Sequence, residues 1–212
     1  MTIKSSAKNI IITTLIFSIG YAILRYHIAG GVPWSDFPFF ILNKGFSLSA
    51  FILISLNFSF GPAKQLNLPI PERWLLARKT IGMTGFILVL IHALMSLMIF
   101  SPDVYGNFFK ENGHLTAIAG ISMLAGILAF AVLWVYNLSF QTYLREDKAF
   151  ITFITSRKFL LWAHLLGGLH LGFMGYSGWL NPAGWHGGLP PISLIAFSFF
   201  TMAYVMNLFG KE

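Results

Sequence analysis

The chain has 212 residues, of which 56% are hydrophobic and 10% charged, and its mean hydropathy is +0.72. A soluble domain carries roughly 25% charged residues to cover its surface, so this composition excludes one. The net charge of +7 and the pI near 9.8 would suit a nucleic-acid binder, but nearly all the charges fall in short loops between apolar runs, where they report membrane orientation and not a phosphate-binding face.

A helix needs ~20 mostly apolar residues to cross the hydrocarbon core. The first such run, about residues 9–26, follows Lys4 and Lys8 and ends in Arg25, Tyr26 and His27 instead of a small-residue cleavage site. It therefore reads as a retained helix and not a signal peptide. Further runs cover about 38–60, 80–101, 116–138, 159–179 and 191–209. Breaker residues separate them: Gly30, Gly31 and Pro33; Gly61 and Pro62; Pro69 and Pro71; Pro102; Asn181 and Pro182; Pro190 and Pro191. The expected fold is all-α, an integral membrane bundle of six spans forming one domain over 1–212, with no separate soluble domain and no internal repeat.

The basic residues set its orientation. Lys4, Lys8, Lys64, Arg73, Arg78, Lys79, Arg145, Lys148, Arg157, Lys158 and Lys211 fall on one side, against Arg25, Lys44 and Lys110 on the other. By the positive-inside rule both termini face the cytoplasm. Trp34, Trp179 and Trp185 mark the outer boundary, and Trp74 and Trp162 the inner one. Lys44 sits shallowly inside the second span, where it snorkels outward or meets an anionic group.

The chain has no cysteine, which excludes disulfides, iron–sulfur clusters, thiolate zinc sites, redox thiols and covalently attached c-type haem. No G-x-S-x-G elbow, no G-x-G-x-x-G fingerprint and no acidic pair within the spans supports hydrolytic or nucleotide chemistry. Apart from Lys44 no charged residue lies well inside a span, so an ion or proton relay has no basis.

Histidine carries the functional signal. His27, His114 and His186 lie in or beside the outward loops, whereas His92, His164 and His170 lie within the third and fifth spans. An ionisable group inside a membrane helix is costly, and each is a functional candidate. A single one can simply bond across helices, but three such residues in a cysteine-free chain point to cofactor ligation. Gly82, Gly85 and His92 share a face of the third helix, where the glycines admit either a flat macrocycle or a neighbouring helix. On the fifth helix His164 shares a face with Gly168, Gly172 and Gly175. His170 is turned about 120° away, so an ideal helix does not aim both at one cofactor. The climb from Arg78 to His92 is ~21 Å at helical rise and that from Arg157 to His170 nearly the same, while His164 lies much lower. Equal depth makes His170 the better partner for His92.

Residues 77–92 (ARKTIGMTGFILVLIH) resemble the ferric-reductase-like transmembrane domain, and most closely the haem-bearing membrane subunits of bacterial periplasmic methionine sulfoxide reductase systems. Asn43, Lys44 and Gly45 with the apolar run to Pro62 resemble the second helix of that family. Residues 114–120 (HLTAIAG) resemble the start of its fourth, and residues 159–164 (FLLWAH) the opening of its fifth. The resemblance spans about 38–209. It implies a bacterial inner-membrane, multi-pass b-type haem protein whose third and fifth helices supply the axial histidines. Electrons would pass from a cytoplasmic flavin donor or a quinol to an extracytoplasmic acceptor, through redox partner proteins. The family position makes His164 the ligand, while depth favours His170. The family's second fifth-helix histidine is replaced by Ser177, and no second histidine follows His92. One haem b is therefore expected, not two. The competing expectation is a haemless accessory subunit that scaffolds a larger membrane assembly, with histidines that only bond between helices. No separate catalytic residues are expected.

Overall fold

The protein is represented by a computed structural model, which describes residues 3–138 and 146–210, with the backbone alone at Arg157. The described residues form seven α-helices and no strand: α1 (Ile3–Ala22), α2 (Leu42–Gln65), α3 (Glu72–Met98), α4 (Ala117–Leu138), α5 (Lys148–Ile154), α6 (Arg157–Trp179) and α7 (Ile192–Phe209). They fall into six segments long and apolar enough to cross a membrane, α5 and α6 sharing one of them, giving an all-α six-span bundle. Ile16, Phe17 and Ile87 are among the large apolar side chains left exposed on these helices, as a lipid-facing surface requires. An even number of crossings returns both ends to one side. Of the basic residues that assign this side to the cytoplasm, Arg145 and Lys211 lie outside the described residues.

Several boundaries differ from the sequence expectation. The first span begins at Ile3, and past Ala22 it continues as a π-helical turn over Ile23–Ile28. The third begins at Glu72, so Arg73, Arg78 and Lys79 stand on helix and not in a loop. Pro71 still precedes it, as suits a residue whose missing N–H costs nothing there. The second span does not stop at Gly61 and Pro62 but runs on to Gln65. Pro62 cannot donate to the Phe58 carbonyl one turn back, and the Asn207 amide of α7 donates to that oxygen instead, at 3.1 Å. The helix ends five residues later than expected. Asn67, with φ +60°, donates to the Lys64 carbonyl and Leu68 to that of Ala63.

α2 is the central helix and packs against α1, α3 and α7, while α6 packs on α4 and α7. Small residues bring these helices together. A Cβ on Gly45 would lie 3.0 Å from the Ile19 backbone, so α1 and α2 meet almost backbone to backbone. Ser49, Ala50, Leu53 and Ser55 of α2 are also buried. Contact between α3 and α4 is slight, and the space this leaves is where the intramembrane histidines lie.

Arg25, expected as an outer-boundary charge, is buried at the end of the first span. Its guanidinium donates to the Leu189 carbonyl and lies over the Tyr26 ring. That bond ties the first span to the loop before α7.

Candidate cofactor site

A cavity of about 580 Å³ runs between α2, α3, α4, α6 and α7, within the ~300–1,000 Å³ usual for small-molecule and cofactor sites. Its walls are mostly apolar, and His92, His164 and His170 all border it. Both α6 histidines border this one cavity, although they lie on different faces of the helix. The space follows α6 for some three turns, from Ala163 to Met174, and so meets two of its faces.

The three imidazoles are held differently. Nδ1 of His92 lies 2.7 Å from Oδ1 of Asn43, a fully buried residue of α2. The Asn43 amide nitrogen in turn donates to Oγ of Ser96 at 3.0 Å. With the amide in this orientation its oxygen accepts, and His92 then carries its proton on Nδ1. Nδ1 of His170 lies 2.9 Å from the Ser122 carbonyl on α4 and must donate to it. The Ser122 hydroxyl returns a bond to the His170 carbonyl at 3.0 Å. In both residues Nε2 is therefore the unprotonated nitrogen, with its lone pair available. A histidine whose far N–H is fixed by an amide or carbonyl oxygen is oriented to bind metal through the other nitrogen.

His164 lacks this support. Its ring stacks on Phe200 at 5.1 Å and 22°, with Phe58 at 4.9 Å on another side. Its Nε2 is buried without a hydrogen-bond partner.

Gly82 and Gly85 do not border the histidine cavity. A Cβ on Gly82 would meet the Asn57 amide at 2.8 Å, and one on Gly85 would meet Ile54 at 2.9 Å, so both serve the close packing of α3 on α2. The glycine that touches a histidine is Gly126 of α4, where a Cβ would lie 2.8 Å from Nδ1 of His170. Sequence reasoning missed Gly126, Ser122, Ser96 and the role of Asn43. Faint signals existed, since Ser96 follows His92 by one turn, Ser122 and Gly126 are one turn apart, and Asn43 is an amide inside an apolar run.

Among the described residues no group of three His, Asp or Glu side chains converges to hold a bare metal ion. The donor set is instead two neutral imidazoles on an apolar cavity, which fits a metal carried by its own planar ligand. Haem, which needs only two axial donors, meets that condition.

Lys44 is the one charged side chain on the cavity wall, and its ammonium lies 5.1 Å from the centre of the Phe40 ring and 4.9 Å from that of Tyr105. Tyr105, Phe100 and Phe108 of the outer loop close that end. Burial there lifts the Tyr105 hydroxyl to about 12. At the cytoplasmic end a smaller cavity of about 180 Å³ is lined by Asn57, Arg78, Lys79, Tyr136 and Asn137. It shares Ile54, Phe58 and Leu133 with the larger one.

The outer histidines lie outside this space. Nδ1 of His27 is 2.7 Å from the Val32 carbonyl and its ring 4.2 Å from Trp34, while His186 lies near Tyr26 and Gly30. His114 is exposed. Segments 27–34 and 184–188 therefore meet, since a Cβ on Gly187 would touch that of Ala29 at 2.8 Å. No protein-family model and no curated protein sequence matches this chain.

Proposed function

We propose that this protein is a membrane electron-transfer subunit that holds one b-type haem between His92 of α3 and His170 of α6. The observation that carries this is the matched state of the two imidazoles, each with Nδ1–H given to a fixed oxygen and Nε2 left unprotonated beside one apolar cavity. The haem would supply a one-electron couple. The chain's own residues would orient the ligands within a mostly apolar space. Asn43 and Ser122 set the ring tautomers, Gly126 gives His170 its room, and the outer-loop aromatics close the extracytoplasmic end.

The small cavity at the Arg78 end, with Arg78 and Lys79 in a mixed polar and apolar wall, abuts the larger one and supports electron entry from the cytoplasmic side, from a flavin donor or a quinol. The joined segments 27–34 and 184–188 offer a surface for an extracytoplasmic acceptor. The bacterial inner membrane is the proposed location, and redox proteins are the proposed partners.

A haemless scaffold is the second reading, and one observation favours it: the His92 and His170 bonds join α3 to α2 and α6 to α4, as purely structural histidines would. The two readings part at Nε2, which a scaffold does not need. Replacing either His92 or His170 by Ala should abolish the low-spin haem spectrum. A normal low-spin spectrum in the His92→Ala protein would exclude the assignment.

A further inference from the structure

The Lys44 ammonium stands at the outer end of the histidine cavity, framed by the Phe40 and Tyr105 rings. Two ring faces offset only part of the cost of withdrawing an ammonium from water, and an anion is the group that offsets the rest. Among the described residues none stands at this place. The acidic residues of the outer side, Asp36, Asp103 and Glu111, are all exposed, and among the described residues none forms an ion pair with Lys44. The side chain is only partly exposed, with the Tyr105 ring of the outer loop beside its ammonium. The rest of the cavity wall is uncharged, so the space has one cationic end and an otherwise apolar body. That pattern suits an amphiphile with a carboxylate at one edge.

Lys44 follows Asn43 directly in α2, and Asn43 is the residue that orients His92. The cation is thus fixed relative to the metal-binding nitrogen by one stretch of helix backbone. Tyr26, Ser47 and Ser96 border the same end and add polar groups beside it. We infer that Lys44 receives a carboxylate of the cavity's ligand, a propionate where that ligand is haem, and so fixes the macrocycle with its propionate edge toward the extracytoplasmic side. This rests on the haem reading above and adds to it a defined orientation. Lys44 acts in it as a binding residue, with no part in ligating the metal.

The test uses the full chain in detergent, stripped of any bound pigment and titrated with haem b and with haem b dimethyl ester, in which both carboxylates are blocked. The wild type should bind haem about tenfold or more tightly than the ester, the order expected for a charge-assisted bond. Lys44→Gln should lose that preference and keep the bis-imidazole spectrum, while Lys44→Arg should retain it. Equal binding of haem and ester by the wild type overturns the inference whether or not the variants fold, and so does a Lys44→Gln protein that still prefers haem. A wild type that binds neither overturns the haem reading itself and this inference with it. Bound haem without discrimination overturns only the role of Lys44.

Discussion

Asn43→Ala tests how far the support of His92 determines cofactor binding. Asn43 is fully buried, accepts from Nδ1 of His92 at 2.7 Å and donates to Ser96 at 3.0 Å. Alanine removes both bonds and leaves the imidazole N–H with only the Ser96 oxygen, at 3.4 Å, beyond the ~2.7–3.2 Å of a good N–H···O bond. Leaving a buried donor unsatisfied costs ~1–3 kcal/mol, which should appear as lower thermal stability of the stripped protein. Losing the oxygen that orients a metal-binding histidine typically weakens metal affinity ~10–100-fold. Haem titration followed in the Soret band, beside a melting curve of the haem-free chain, separates the two effects. Asn43→Asp is the control, because it keeps an acceptor and makes it stronger. It should retain haem and lower the midpoint potential, since a more electron-rich imidazole favours the ferric state. An Asn43→Ala protein that folds and binds haem with unchanged affinity would refute this role for the Asn43–His92 bond.

Gly126→Ala places a methyl 2.8 Å from Nδ1 of His170, so the ring must retreat by about 0.6 Å to reach ordinary contact. Its bond to Ser122 is then strained, and the chain should lose ~1–3 kcal/mol of stability and bind haem more weakly, both readable by melting and titration. His164→Leu removes a buried unpaired nitrogen and should keep haem with stability unchanged or raised. Loss of haem there would return the ligand role to His164. Tyr105 is held neutral by burial, with its hydroxyl at about 12 against an ordinary 10. Because the folded value is the higher one, its contribution to stability is complete below pH 10 and is lost as the pH rises toward 12. Ultraviolet titration should therefore show one tyrosine ionising later than in a Tyr105→Phe protein.

The spans were readable because ~20-residue apolar runs and basic loops are strong one-dimensional signals. The helix that ran through Pro62 was not, because the donor that satisfies Phe58 is Asn207, distant in sequence. For the same reason, helical depth could rank His170 above His164 as the partner of His92 but could not show what holds each ring. His170 differs from His164 in a carbonyl on α4 and a glycine beside it, and no feature of α6 itself reveals either. Helical rise places His92 and His170 at one depth, but the cavity is bordered by His164 as well as by these two. Gly82 and Gly85 show the opposite case. Their spacing marks a flat helix face but cannot say whether a macrocycle or a neighbouring helix fills it, and here α2 does.

The most direct test of the account is the dithionite-reduced minus oxidised absorption spectrum of the purified chain, with haem quantified as the pyridine haemochrome. The account predicts a sharp low-spin b-type spectrum at about one haem per chain, as two axial imidazoles at a single iron require. A preparation that stays colourless after incubation with haem would contradict it and leave the scaffold reading in its place.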